Sequence, residues 1–317
     1  MATSGSIDFG ATRDQLIQEA MEQIGAIDLG GTPSAADLAT CARTLNLMLK
    51  SWQNDEVNIF AIQKTYLFLD KNVNEYLLGT TAIYSSAINQ TTISAAAAAT
   101  DTTVDLTDTT NAADNSTHIL KLDDGQNEFL TQNGAVAGST MTFDAPAGGL
   151  SAAASSGNTI YHFKTGEEAN RPMKILTAVR RDKNGIDIPM NLLSLDEYTQ
   201  LSDKTTDGVP INFYYRPELG FTRVRIWPEP SDVNDYIVLW VQRTLEDLDA
   251  ASDDVDYPQE WYWAISLGLA MAISSKYGVD AATYNRIKEQ FTEAYWMASS
   301  ADVDDAGTEF EPNMRGD

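Results

Sequence analysis

Residues 101–144 read DTTVDLTDTTNAADNSTHILKLDDGQNEFLTQNGAVAGSTMTFD, and the fold class turns on whether they are a tether or a folded body. Their composition, rich in Thr, Ala, Asp, Ser and Gly, is that of a linker. Their pattern is not. Short β-forming runs recur at Thr103-Val104-Asp105-Leu106, His118 to Leu122, Phe129 to Thr131 and Thr140 to Phe143. Between them stand Asp123-Asp124-Gly125 and Asn133-Gly134, whose small or self-bonding side chains favour tight turns. From Ser85 to Gly157 Lys121 is the only basic residue, and Thr159 to Phe163 supplies a returning strand. Residues 85–164 are therefore predicted to be an inserted all-β domain, a sandwich or barrel standing apart from the rest.

On either side the period changes to that of a helix. Thr12 with Gln15 fits a capping box, and Leu16, Ala20 and Ile24 follow as a stripe that Gly25 can end. Thr32-Pro33-Ser34 opens a second helix carrying Leu38, Cys41, Leu45, Met48 or Leu49, and Trp52. Two such helices across a short Gly-containing turn should pack antiparallel. Near the other end, Pro258 starts a helix apolar all round, from Trp261 to Ile273, which should be sandwiched between other elements. Gly278 ends it, and Asp280 can cap a last helix with Tyr284, Ile287, Phe291, Ala294 and Ala298.

Between these helices the β period returns. Tyr66 to Leu69 and Glu75 to Leu78 read as strands around an Asp70-Lys71-Asn72 turn. Ile175 to Val179 and Ile186 to Pro189 flank Asn184-Gly185, a hairpin signal. Ser194 and Glu197 form a second capping box. Strands follow at Ile211 to Tyr215, Thr222 to Trp227 and Tyr236 to Gln242. The expected fold is α+β: a helical-bundle body (about 12–25, 34–53, 258–277, 280–299) with a small antiparallel β-sheet from 66–78, 173–189 and 211–242. The expected division is a core of residues 1–84 and 165–300, the insert 85–164, and a C-terminal arm 301–317.

The 317-residue chain has 21 basic and 46 acidic side chains, a net charge of −25. Gripping a phosphate backbone needs Lys and Arg to displace counterions, so this balance argues against nucleic-acid binding and against an anionic membrane. It fits a surface that stays in solution or repels DNA. The lone Cys41 rules out a disulfide within the chain and reads as a small core residue. The N-terminal MATSGSIDFGATRDQ lacks a basic region followed by an apolar run, so no secretory signal is expected. The Trp261–Ile273 stretch falls short of the ~20 residues that span a bilayer.

Catalytic signatures are absent. There is no G-x-S-x-G, P-loop, H-E-x-x-H or paired-Cys motif. His118 and His162 lie in Thr- and Ser-rich surroundings with nothing nearby to complete a base and nucleophile. Asp302, Asp304 and Asp305 begin like a calcium loop, but Ala306 and Asn313 stand where ligands are needed, and Asp253, Asp254 and Asp256 lack the glycine. Both read as solvated acid runs, and no metal or cofactor is expected. Arg180-Arg181-Lys183 is a small basic turn that reads as a solvated hairpin tip.

The packing and turn residues do carry a resemblance. Gly30-Gly31-Thr32-Pro33-Ser34-Ala35 (G-x-x-P-S-A), Asn46 to Trp52 (N-x-M-L-x-S-W) and Ile59 to Gln63 (I-x-A-I-Q) are similar to the head-to-tail adaptor family of short-tailed bacteriophages, also called head-completion, tail accessory or packaged-DNA stabilisation proteins. VPINFYYRPELGFTRVRIWPEPSD (209–232) and YPQEWYWAISLGLAMAISSKYGV (257–279) resemble it too. The likeness covers roughly residues 10–80 and 165–300. It implies a structural, non-enzymatic subunit at the head–tail junction of a virion, assembled in the bacterial cytoplasm. The implied ring, usually of twelve copies, docks under the portal protein, continues the DNA channel and receives the tail nozzle or tail fibres. DNA passes without sequence-specific contact. Some members were linked to cell-wall hydrolysis, but no acid pair here is placed for it. A cell-wall glycan hydrolase and a glycan- or receptor-binding virion protein remain as alternatives, the insert being the binding unit in the second. In the family the C-terminal segment reaches the portal. The resemblance thus implies that Phe310 and Met314 fill apolar pockets of the portal or a neighbouring subunit, with Arg315 paired to a carboxylate.

Overall fold

The computed structural model describes residues 9–55, 59–79, 84–110, 112–144, 148–164, 167, 169–182 and 184–302. Its helices are α1 (Arg13–Gln23), α2 (Ala35–Asp55), α3 (Leu195–Gln200), α4 (Tyr262–Ser274) and α5 (Ala281–Ala301). Its strands run β1 (Ile62–Phe68), β2 (Glu75–Leu78), β3 (Tyr84–Ser85), β4 (Asn89–Thr92), β5 (Thr103–Asp105), β6 (Thr117–Lys121), β7 (Asn127–Gln132), β8 (Thr140–Asp144) and β9 (Thr159–Phe163). They continue with β10 (Lys174–Arg181), β11 (Asp187–Pro189), β12 (Asn191–Leu192), β13 (Asp207–Gly208), β14 (Asn212–Pro217), β15 (Thr222–Trp227), β16 (Glu229–Pro230) and β17 (Tyr236–Gln242). Contacts divide the chain into two compact units, Met1–Ala61 with Leu245–Asp317, and Ile62–Thr244. The division falls at 61/62 and 244/245, so residues 62–84 and 165–244 belong with the insert.

The first unit is helical. Thr12 Oγ1 accepts from the Gln15 backbone while Gln15 Oε1 accepts from the Thr12 N–H, closing the capping box that starts α1. Asp280 Oδ1 accepts from the Thr283 N–H at the start of α5. Helix α4, apolar all round, buries residues on every side, among them Ile265, Leu267, Leu269 and Ile273. Its Gly268 lets α2 come close: a Cβ there would stand 2.8 Å from Trp52 Cζ2. Cys41 is fully buried in the same core, on the stripe its spacing indicated.

The second unit is layered β structure. Its centre is the five-stranded sheet β11-β10-β17-β1-β3. The run Tyr236-Ile237-Val238-Leu239-Trp240-Val241 on β17 explains why. Alternate side chains point to opposite faces. Ile237, Leu239 and Val241 enter a cluster with Phe213, Val224 and Ile226, while Tyr236, Val238 and Trp240 enter another with Ile119, Phe163 and Tyr161. A strand covered on both faces reads as a continuous apolar run. One covering layer is the four-stranded sheet β12-β14-β15-β2. The other is the outer face of the six-stranded sheet β4-β9-β6-β7-β8-β5.

That six-stranded sheet closes on itself. Beyond β4 and β5, Ile93 bridges Leu106; Ser94 N donates to Asp105 O at 2.7 Å and Thr107 N to Thr92 O at 2.8 Å. Ile93, Leu106, Leu120, Leu130, Met141 and Ile160 fill the interior, so this is a small, strongly curled sheet around a packed core, its two ends meeting at that seam.

The expected helical-bundle body with a small sheet is therefore overturned. Among the described residues seventeen strands lie in four sheets, and only 28% of residues are helical. The four long helices exist, but they make one unit, and the β structure makes another, larger one. The physical reason is that helical period shows over many residues, whereas most of these strands have two to six and take distant partners. The strands Tyr66–Leu69 and Glu75–Leu78 do not form a hairpin with each other. β1 pairs with β17 and β3, and β2 pairs with β15 in the other sheet.

Candidate functional site

The residues marked by resemblance for portal binding, Phe310, Met314 and Arg315, lie outside the described residues. The acidic runs and the basic turn marked in the sequence fall at separate places, and their described members have structural partners. Asp302 Oδ1 accepts the Ile59 N–H at 3.1 Å; Asp304 and Asp305 lie outside the described residues. Asp253 Oδ2 accepts the Ala250 N–H at 2.6 Å, and Asp256 Oδ2 the Glu246 N–H at 3.2 Å. These carboxylates stitch the loop before α4. Arg180 pairs with Asp235, and Arg181 makes two 2.6 Å bonds to Asp187; Lys183 is not described. Arg180 and Arg181 are thus tied to carboxylates, which occupies the donors a phosphate would use. Among the described residues no three His, Cys, Asp or Glu side chains converge as metal ligands, and no helix is long and apolar enough to cross a membrane.

A hydrolase would need a carboxylic acid held neutral beside a second carboxylate across a cleft. The nearest approach is Glu229, unmarked by any sequence motif. Burial, then Asp207 and Asp203, push its carboxyl above the usual range. Its Oε1 accepts from Asn74 Nδ2 at 2.6 Å. The 260 Å³ cavity next to β13 and β16 is lined by Gly208 and Ser231 rather than Glu229, so this carboxyl sits inside the fold and not on a cleft wall. On the outer face of the four-stranded sheet, Glu75 takes Arg223 and, at 2.9 Å, Arg225. Glu218 takes Arg223 at 2.9 Å and Arg216 at 2.6 Å, and these guanidiniums hold its carboxyl down at about 2. The register Arg225↔Glu75 assembles this lattice, and a register between remote strands has no local signal.

The two histidines do come together. His118 on β6 faces His162 on β9 in register, with ring centroids 5.2 Å apart and planes 24° from parallel. His118 shares its strand face with Leu120, and His162 shares its face with Ile160, both lining the barrel interior. Gln132 Nε2 donates to Gly134 O at 2.8 Å, so its Oε1 is turned to accept from His118 Nε2 at 3.0 Å. Neutral His118 then bears its proton on Nε2. Its Nδ1 is buried without a hydrogen-bond partner, and the ring nitrogens of His162 are buried with only the Thr110 backbone approaching them, short of a full hydrogen bond. Burial and the neighbouring ring push His118 down to about 4; burial also lowers His162.

The helical unit leaves several large apolar side chains uncovered. α5 is 21 residues long, yet only Ile287, Ala294 and Ala298 are buried along it. Trp296 is 67% exposed and Met297 55%. Trp296 closes one end of a shallow depression along Asn285, Lys288, Glu289 and Thr292. Trp263 on α4 and Phe9 line a separate 470 Å³ groove with Tyr262 and Leu16. Trp52 and Trp261 sit in the core with ring centroids 6.3 Å apart, and Trp296 stands outside it.

No protein-family model and no curated protein matches this chain.

Proposed function

We propose that this chain is a structural subunit of a phage virion, a head-to-tail adaptor. It forms a ring with copies of itself at the head–tail junction, docks under the portal protein, continues the DNA channel and receives the tail nozzle or tail fibres. The resemblance over roughly residues 10–80 and 165–300 supplies the family. The observation that carries the reading is the face of α5, where a tryptophan and a methionine stand adjacent and uncovered on a long helix with few buried residues. An exposed Trp with an apolar neighbour is the kind of anchor an interface buries, and the occupant proposed here is a second copy of the chain. The charge of −25 supports a channel wall that DNA passes without binding. The arm 301–317, through Phe310, Met314 and Arg315, is the proposed contact with the portal.

Replacing Trp296 and Met297 together by Glu is expected to abolish the ring. Monomer stability should change by no more than about 0.5 kcal/mol, the usual range for surface sites. Deleting 301–317 should leave the ring intact and remove portal binding. Light-scattering mass and a urea melt check both. Rings that survive the double substitution remove α5 from the interface, and portal binding that survives the deletion removes the arm.

A further inference from the structure

His118 and His162 are the only histidines in the chain, and an adaptor role gives them no task. Apolar side chains fill much of the barrel interior, yet two imidazoles stack at one end of it, 0% and 2% exposed. A buried imidazole ordinarily uses its ring nitrogens; here His118 Nδ1 has no partner, and the Thr110 backbone approaches His162 without closing a full hydrogen bond. The groups around the pair come from every neighbouring element. β7 brings neutral Gln132 to His118. The connection after β5 brings Asp108 and the Thr110 backbone toward His162, and Glu167 beyond β9 adds a second, weaker attraction. β4 places Asn89 opposite His162, and Asp114 holds the turn after β7 through the Gly134 N–H at 2.7 Å. None of the carboxylates belongs to His118, whose neighbours are an amide and another imidazole. A proton on this pair would put a charge in an apolar interior with no counter-ion at His118, a costly state unless water enters. The closing segment runs along β4 to the pair: beyond the Ile93–Leu106 bridge and its two flanking backbone bonds, Ser94 Oγ donates to Asp105 O at 3.2 Å, Thr107 Oγ1 meets Thr92 Oγ1 at 2.9 Å, Asp108 N donates to Thr91 Oγ1 at 3.1 Å, and Thr110 reaches His162.

We propose that the His118–His162 pair is a proton-operated latch on the barrel, which releases the β4–β5 seam when the solution turns acid. This holds whether or not the chain builds a ring. Burial lowers both groups from the ordinary 6.5, His118 to about 4, so the open barrel takes up protons before the closed one. Closure is fully favoured above 6.5 and weakens as pH falls from there toward 4. Within that window each pH unit favours opening by about tenfold through His118, and His162 acts in the same direction.

The test uses the full chain, with amide hydrogen exchange read by mass spectrometry at pH 7.5 and 5.0 and ring titration by NMR. After correction for intrinsic rates, opening of β4, β5 and β9 should rise by at least on the order of thirtyfold at the lower pH, with α4 still protected. Substituting His118→Gln and His162→Gln together should remove that acid response. If the double variant does not fold, the wild-type measurements decide. Rings that titrate near 6.5 with the barrel still protected overturn the latch, and so does an equal loss of protection in β4 and α4.

Discussion

Val238→Asp is expected to unfold the β unit. Val238 is fully buried at the middle of β17, opposite Tyr66 on β1 and Val179 on β10. Its side chain meets Phe68, Ile119 and Phe163, where the central sheet packs on the barrel. Aspartate there either stays charged without a partner or must take up a proton at neutral pH, and it forfeits the valine's burial as well. The combined cost is on the order of 5 kcal/mol or more, set against the ~5–15 kcal/mol that holds a typical domain folded. Near-ultraviolet circular dichroism and a urea melt should show the β unit lost in the full chain. Val238→Ala, which opens only a small cavity, should leave it folded. A folded Asp variant with wild-type midpoint would mean that this layer of the fold is wrongly drawn.

The helical unit has its own keystone. Trp261 is 4% exposed, and its ring lies 5.5 Å from Tyr295, 5.7 Å from Tyr257 and 6.3 Å from both Trp52 and Phe60. It joins α2, α5 and the turn before α4 in one aromatic cluster. Trp261→Ala should cost about 3–5 kcal/mol from lost burial and the cavity left behind. Trp296→Ala, two-thirds exposed, should cost little in the monomer. Chemical denaturation followed by tryptophan fluorescence separates the two. Equal costs would contradict the assignment of one as core and the other as surface.

Much of the local structure was legible in the residues. The capping boxes at Thr12/Gln15 and Ser194/Glu197 form as their spacing indicates. The Asn184-Gly185 turn joins β10 to β11, and the apolar run of α4 is buried on all sides. What the residues did not reveal is partnership at a distance. Tyr66–Phe68 and Glu75–Leu78 look alike and adjacent, yet they join different sheets because each completes a layer whose other strands lie far along the chain. The proportion of β structure was hidden for the same reason. Strands of two or three residues such as β3, β12 and β13 have no period of their own. His118 and His162 were visible as residues but not as a pair, since the β6–β9 register alone brings them together.

The account rests on self-assembly of an acidic subunit, and the mass of the native protein tests it most directly. Native mass spectrometry of the full chain would be run alone and with the portal protein of the same phage. The account predicts a closed ring of about twelve copies, alone or on the portal, following the head-to-tail closure that a repeated non-self-complementary contact produces. A 34.7 kDa monomer that stays a monomer at every concentration, and leaves the portal unbound, would contradict it.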